Sequence, residues 1–278
     1  MSDHPMLRAV QRQALTLCLI SALTPLLPAS SGPSGEESRV VADLVRLVNQ
    51  ERTRRGLPAV RANDDLARAA RDHSTAMADA KQLTHRVSGE PELGARVART
   101  GLRFDSLGEN VSRSSEGGDP ADNAHQSLMA SPPHRANILD ARYNAVGIGV
   151  VRRGNYVYVT EDFARIYDDM TPAQAEQAVL RTFQRARAAA KRGPARVVTL
   201  DRLNEMACAP DVTPQLLITR FATSQTAVVF TIWNTDDLPE PMLTDARRRD
   251  LDAVALRACP LQPTPGGNGG FRVVAVFF

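Results

Sequence analysis

Apolar residues recur every three or four positions from residue 40 onward, which is the spacing of one buried helix face. They are Val40, Val41, Leu44, Val45 and Val48. Gly56 and Pro58 stop this pattern, so a first amphipathic helix is expected to end before them. Asn63 is placed to cap a second helix, whose apolar stripe includes His73 together with Leu66, Ala70 and Met77. On that stripe, His73 is predicted to be a hydrogen-bonded core residue rather than a ligand.

Further cap signals divide the rest of the first half. Asp119 followed by Pro120 predicts a helix to about Ala130, and Ser131 followed by Pro132 predicts a short helix over 132–139 with His134 in its first turn. Strand-like runs at 145–151 and 155–163 flank a hairpin loop at 152–155. Helices followed by a hairpin predict an α+β arrangement.

A second, smaller unit is predicted after residue 167. Thr171, Pro172 and Gln174 form a capping box for a helix that ends at Gly193-Pro194. Strand-like runs at 196–200, 227–233 and 271–278 then alternate with helical patterns around 203–207 and 245–257. No internal repeat is visible. The expected organisation is a first domain over 31–166, a connecting helix within 167–193, and a small C-terminal α/β domain over 194–278.

The N-terminal residues resemble an export signal. Arg8 and Arg12 precede an apolar run at 14–27, and small residues follow it. This layout predicts a cleaved signal peptide over residues 1–30, with an uncleaved anchor as the alternative. A secreted or periplasmic protein with no transmembrane helix in its mature chain is therefore expected.

Composition narrows the partners and the redox compartment. The chain has 278 residues, 43% of them apolar, and a formal net charge of only +3. Its arginines are scattered, so no nucleic-acid partner is expected. Two cysteines remain after the signal, Cys208 and Cys259, and in an oxidising compartment they are predicted to form a disulfide. Two buried free thiols are the alternative.

Several motifs stand in order in the first half. They are Leu83-Thr84-His85-Arg86, Gly108-Glu109-Asn110-Val111, Ser131-Pro132-Pro133-His134-Arg135-Ala136-Asn137-Ile138-Leu139, and the pair Gly147-Ile148-Gly149-Val150 and Tyr156-Val157-Tyr158-Val159. Together they resemble the bacterial branch of the CAP superfamily, named for cysteine-rich secretory proteins, antigen 5 and pathogenesis-related proteins. The resemblance covers roughly residues 40–165. It implies a three-layer α-β-α sandwich with a central antiparallel sheet and a large cleft.

The same resemblance suggests the residues of that cleft. His85 and His134 match the two family histidines, and Glu109 matches the acid of the Gly-Glu-Asn motif. Ser131 stands where many eukaryotic members have a second glutamate, as is common in the bacterial branch, and Leu128 departs from the bacterial tryptophan. A ligand-binding cleft lined by His85, Glu109, Ser131 and His134 is therefore expected, with only one of these residues a carboxylate.

Three chemical interpretations of this cluster remain open. His85, His134 and Glu109 could hold a divalent metal such as zinc, or the acid could serve a structural polar cluster, or the cluster could contact a ligand directly. Ser131 precedes a proline, and a helix cap explains it better than a nucleophile does, so no catalytic residue is assigned. Glu161 and Asp162 lie on opposite faces of a strand, so only one of them can reach the cleft.

The expected function is therefore that of a binding protein rather than an enzyme. The sequence predicts an exported CAP-domain protein that binds an extracellular ligand, a lipid or another small apolar molecule. One alternative is a metal-assisted hydrolase that acts on peptide or cell-wall material. The other is a structural or adhesive envelope protein that uses its C-terminal domain.

Overall fold

Two four-stranded sheets organise the chain, one in each half. The computed structural model describes residues 34–115, 117–264 and 266–278, and the predicted signal peptide lies outside them. The described residues belong to one compact unit.

The first half contains five helices and four strands within the described residues. They are α1 (Gly35–Arg54), β1 (Arg61–Ala62), α2 (Asp64–Ala80), α3 (Leu93–Ala98), β2 (Arg103–Ser115), α4 (Pro120–Ala130), α5 (Pro132–Ile138), β3 (Ala145–Arg153) and β4 (Tyr156–Tyr167). The strand order is β1-β3-β4-β2, and every pairing is antiparallel except that of β1 with β3.

Helices cover both faces of this sheet. Helix α2 packs closely on β3, because Gly147 and Gly149 carry no side chain; an added Cβ on Gly147 would lie 2.1 Å from the Leu66 carbonyl carbon. Helices α1, α4 and α5 share an apolar core with the opposite face, through residues such as Leu44 and Ile148. This is the predicted three-layer α-β-α sandwich.

Most predicted elements of the first half are present. Asn63 caps α2 through a hydrogen bond from the Leu66 N–H, and His73 is fully buried as predicted. The hairpin strands run further than expected and leave only a two-residue turn between them. The cap prediction for Ser131 is wrong in one respect: Ser131 stands at the N-cap position of α5, but its side chain makes no cap hydrogen bond.

The second half contains the remaining helices and strands of the described chain. They are α6 (Pro172–Ala189), β5 (Arg196–Val197), α7 (Asp201–Met206), α8 (Pro214–Arg220), β6 (Thr226–Ile232), α9 (Glu240–Arg247), β7 (Ala253–Pro260) and β8 (Phe271–Phe277). The capping box predicted for α6 is present. The helical pattern predicted at 245–257 is wrong, because its second part is the buried strand β7; a short apolar run does not distinguish a buried strand from a helix.

Helix α6 is an integral layer of this half rather than the expected connecting helix. Its apolar residues Val179 and Phe183 share a core with Val254 on β7 and Phe277 on β8. Helices α7 and α8 cover the other face of the same sheet, and Leu203 and Leu217 pack there.

The second sheet repeats the topology of the first. Its strand order is β5-β7-β8-β6, with β5 parallel to β7 and the other pairs antiparallel. Each strand therefore has a counterpart with the same chain order, the same neighbours and the same direction. No repeat is visible in the sequence, but the fold contains one.

Equivalent hydrogen bonds support this correspondence. The Asn49 side chain donates to the Val60 carbonyl at 3.0 Å and accepts from the Val60 N–H at 2.8 Å. The Gln184 side chain makes the same two bonds to Ala195, at 2.7 and 3.0 Å, across the same spacing of eleven residues. The Nε atoms of two buried arginines, Arg52 and Arg187, likewise donate to the carbonyls of Pro58 and Gly193, in each case six residues further on.

The predicted disulfide joins Cys208 to Cys259, with 5.4 Å between their Cα atoms. It links the region after α7 to strand β7, so the free-thiol alternative is wrong. Across the described residues, no helix combines the length and apolar character needed to cross a bilayer.

Candidate functional site

The candidate site lies on β2, one of the two edge strands of the first sheet. Glu109 on β2 pairs with Asp162 on β4, which pairs in turn with Gly147 on β3. Directly paired residues share a face of a sheet, so both carboxyl groups lie on the face that α2 covers. The sequence did not decide which of Glu161 and Asp162 reaches the cleft. In the structure Asp162 lies beside Glu109, and Glu161 lies on the opposite face.

Two imidazole rings lie close together at this edge of the sheet. His85 comes from the segment between α2 and α3, and His134 from the first turn of α5. Their ring centroids are 6.2 Å apart, with the planes tilted by 48°. His85 Nδ1 lies 2.9 Å from Glu109 Oε1. The structure thus brings together the three residues His85, Glu109 and His134, which are distant in the sequence.

The carboxylate of Glu109 is held by a buried cation. Arg96 on α3 donates from Nη2 to Glu109 Oε2 and from Nη1 to the His85 carbonyl at 3.3 Å. His73 Nε2 lies 3.8 Å from Glu109 Oε2, while its two ring nitrogens contact the Glu90 carboxylate and the Thr84 carbonyl. Both oxygens of Glu109 are therefore engaged, one by His85 and one by Arg96.

Asp162 adds a second acid that is fully buried. Burial raises the pKa of Asp162 well above its usual value, and the neighbouring Glu109 carboxylate raises this pKa further. Neither oxygen of Asp162 accepts a hydrogen bond from a described residue. In its protonated form, Asp162 has a hydroxyl group that can donate to Glu109, so the pair holds one negative charge rather than two.

A polar network on the opposite face fixes helix α5. Asn110 Nδ2 donates to the His134 carbonyl and to Glu161 Oε2, both at 3.1 Å. Asn137 Nδ2 donates to the Glu109 carbonyl at 3.1 Å and to Asn110 Oδ1 at 3.0 Å. Burial raises the pKa of Glu161 to about 7. The network links α5 to β2 and β4, and therefore sets the position of His134.

The environments of the two imidazoles differ. The hydrogen bond with Glu109 raises the pKa of His85, although partial burial opposes this shift. Burial lowers the pKa of His134, and the charge of His85 lowers it further. The His85 side chain is 59% exposed, so this ring is accessible to a ligand from solvent. At a pH near 6.5 the pair thus consists of a more protonated and a less protonated imidazole.

The predicted metal set does not fit this arrangement. His85 and Arg96 occupy the oxygens of Glu109, and the guanidinium of Arg96 would repel a cation bound there. In the described part of the chain, no group of three or more histidines, cysteines and acids is arranged to hold a metal ion. The side chain of Ser131, the other predicted cleft residue, makes no cap hydrogen bond, and Ser131 lies three positions before His134 at the start of α5.

Several site residues were not predicted from the sequence. Arg96 and Glu90 lie in the stretch before β2, for which no element was predicted, so their contacts with Glu109 and His73 could not be foreseen. The Gly-Glu-Asn and Asn-Ile-Leu motifs did contain Asn110 and Asn137. The two asparagines were therefore visible in the motifs, but a hydrogen-bond network between β2 and α5 was not predicted from them.

Comparisons with known proteins find matches to the first half of the chain. Residues 45–163 match the family model described as the cysteine-rich secretory protein family, CAP. An uncharacterized Bacillus subtilis protein, YkwD, is 28% identical over 130 residues, which are 46% of this chain and 47% of that protein. The chain therefore spans about half the length of this curated relative.

Two solved bacterial structures are also similar. An extracellular protein containing an SCP domain from Bacillus anthracis is 28% identical, with a TM-score of 0.43, over 49% of this chain and 45% of the other. A cysteine-rich secretory protein from Staphylococcus aureus is 24% identical, with a TM-score of 0.37, over 48% and 41% of the two chains.

The fold and the cluster of His85, Glu109 and His134 together define a three-layer α-β-α domain with paired histidines and a buried acid. The family match shows that this domain, over residues 45–163, is a CAP domain. Residues 45–163 therefore belong to the CAP family, and the resemblance found in the sequence motifs is confirmed for that part of the chain.

Proposed function

We propose that the protein is exported and binds an extracellular ligand where His85 and His134 meet at the edge of the first sheet. The observation that carries this proposal is the pair of imidazoles beside a carboxylate that a buried arginine holds in place. Keeping Arg96 and Glu109 together inside the protein is costly unless their geometry is good. This pair orients His85, which leaves the rest of an exposed ring for a ligand.

The site suits a ligand that has both a polar and an apolar part. His85 and His134 offer ring nitrogens to a hydrogen-bond acceptor such as a carboxylate. Leu83, two residues before His85, is 47% exposed, which is unusual for a leucine. An amphiphile with an acceptor head group is therefore the proposed class of ligand, within the wider class of lipids and small apolar molecules.

The test compares two amphiphiles with alkyl tails of nearly equal length, dodecanoate and dodecyl maltoside, below their micelle concentrations. Calorimetry with the secreted protein is expected to show tighter binding of dodecanoate. Histidine to alanine changes at positions 85 and 134 should each weaken it by about tenfold or more, the usual value of a hydrogen bond to a charged group. Leu83→Ala should also weaken it, whereas Leu216→Ala, at an exposed leucine of the second half, should not.

Other results would contradict the proposal. If neither amphiphile binds at submillimolar concentration, the ligand class is wrong; if both histidine variants bind as the wild type does, the site is wrong. Heat on addition of zinc chloride that disappears in His85→Ala would instead favour the metal-assisted hydrolase. Partner binding that depends only on residues 171–278 would favour the envelope protein.

For export, mass spectrometry of secreted protein should find an N-terminus near residue 30.

A further inference from the structure

Strand β2 contains a one-residue bulge that determines which way Glu109 faces. Phe104 pairs with Ile166, but Ser106 pairs with Arg165, so Asp105 is an extra residue without a partner on β4. In a regular strand, residues five apart lie on opposite faces. Phe104 and Glu109 nevertheless lie on the same face, the one that α2 covers, because the bulge inserts one residue between them.

The consequence for the site is large. Without the bulge, the register beyond Phe104 would change by one residue, and every later side chain of β2 would point to the other face. Glu109 would then face α1 and α5, away from Asp162 and Arg96. The cluster at the sheet edge therefore depends on a bulge four residues before its acid.

The second half of the chain binds β2 immediately before this bulge. The Phe104 N–H donates to the Asn268 carbonyl, and the Asn268 N–H donates to the Phe104 carbonyl, both at 2.9 Å. These bonds use the outer edge of β2. The segment between β7 and β8 thus acts as a short additional strand at the start of β2.

Arg103 strengthens the same contact. Its guanidinium donates to the carbonyls of Gly269 at 2.7 Å, Trp233 at 3.0 Å and Asp168, and it lies 5.2 Å from the centre of the Phe271 ring. The side chain is almost fully buried. Gly269 has a φ of +70°, and an added Cβ there would lie 2.2 Å from Arg103 Cγ, so the segment approaches too closely for any other residue.

We propose that the second half holds the bulge at Asp105 by binding Arg103 and Phe104, and so keeps Glu109 facing His85. Asp105 itself contributes from the first half, since Tyr167 donates to its Oδ2 at 2.6 Å. Arg103 is in this sense a positioning residue: it touches no part of the cluster and acts on it through the register of β2. The inference concerns the site of the proposed function, but its test needs no ligand, so either can fail alone.

Two variants, Arg103→Ala and Gly269→Ala, disturb this contact from opposite sides. Hydrogen exchange by NMR in the full secreted chain should show at least a tenfold faster exchange of the amides of 106–111 in both. In the same two variants the NMR chemical shifts of the His85 ring nitrogens at fixed pH should change, while the amides of β7 and β8 stay protected from exchange. Arg113→Ala is the matched control, because Arg113 lies on the same strand and packs on Tyr156 instead. Arg103→Lys, which keeps the charge but not the three-carbonyl contact, should recover only part of the protection.

A global loss of stability would not produce this pattern. If 106–111 stay protected and the His85 signals stay in place in a folded variant, the second half does not hold the bulge. Equal loss of protection in both sheets would also overturn the proposal. Should Arg103→Ala fail to fold, Gly269→Ala decides the question by the same readouts.

Discussion

The two halves of this protein share a strand order, but only the first has buried acidic side chains on its strands. Arg61 pairs with Ala145 and Arg196 with Ala253, so the two sheets can be aligned residue by residue. The row of Gly147, Asp162 and Glu109 corresponds to Ala255, Val276 and Ala227. On the other face, Glu161 and Asn110 correspond to Ala275 and Val228.

This difference separates what the fold requires from what the site requires. Both sheets form with the same connections, so buried acids are not needed for the topology. In the first half these acids cost desolvation energy and are held by Arg96, Asn110 and close helix packing. This desolvation cost is present in the first half and absent from the second, which supports the binding role proposed for the polar row.

The halves also differ in how they are stabilised. The first has the 17-residue helix α2 against its sheet, whereas the corresponding helix α7 has six residues and is followed by a cysteine of the disulfide. The second half therefore depends on a covalent link where the first depends on packing.

Removing this link should give the largest effect. In the chain-entropy view, a loop of this length contributes roughly 4 kcal/mol, so the double change of Cys208 and Cys259 to alanine should destabilise the second half by about that amount. Hydrogen exchange should show loss of protection in β5 to β8 before β1 to β4. Dithiothreitol should then have no further effect on the double variant. Equal loss of protection in both sheets would contradict the conclusion that the second half depends on the disulfide and the first half on packing.

The close packing of α2 should give the next effect. Gly147→Ala would place a Cβ against the backbone of Leu66 and should cost about 3 kcal/mol in chemical denaturation, as overpacked cores do. The equivalent Ala255→Gly in the second half should cost only about 1 kcal/mol. Gly193→Ala, with open space around the new carbon, is the control. A Gly147→Ala protein as stable as the wild type would show that α2 can move away from the sheet.

Local patterns in the sequence predicted much of this fold. Apolar spacing and cap residues were sufficient for α1, α2, α4 and α6, and the motifs contained His85, Glu109 and His134, which lie close together in the structure. The segment 245–257 was predicted to be helical, but its second part is strand β7, whose consecutive residues Ala253, Val254 and Ala255 are buried on both faces. The bulge at Asp105 and the contact of Arg103 with Gly269 join residues far apart in the chain, and local patterns contain no signal for such pairs.

The buried Glu161 should make stability depend on pH. Its pKa is raised to about 7 in the folded protein, while an unfolded glutamate titrates near 4.5. The unfolded chain thus loses its proton first, and stability falls as pH rises from about 4.5 to 7. Glu161→Gln removes this loss and should be more stable than wild type at pH 8 by about 2 kcal/mol, after the cost of an unpaired amide.

Denaturation series at pH 4, 6 and 8 would check this expectation. The advantage of Glu161→Gln should be absent at pH 4, where both states of the wild type are protonated. Some fall in stability should remain in the variant, because Asp162 also has a raised pKa. Ala275, the equivalent position in the second half, already lacks a titratable group. A variant that loses stability with pH as steeply as the wild type does would show that Glu161 is ionised in the folded protein.

The smallest expected effect is the splitting of the two imidazole titrations. The second half contains no histidine, so every imidazole signal reports on the first half or on the N-terminal segment. NMR should find the pKa of His85 above 6.5 and that of His134 below it. Glu109→Gln should lower the pKa of His85, because the bond that favours its protonated form is lost. A raised folded pKa gives stability that is present at low pH and lost as pH rises through it, but the exposure of His85 keeps this contribution small. If Glu109→Gln leaves the pKa of His85 unchanged, the carboxylate does not orient this ring in solution. The buried acids that distinguish the first sheet from the second would then have no effect on the edge where the ligand is proposed to bind.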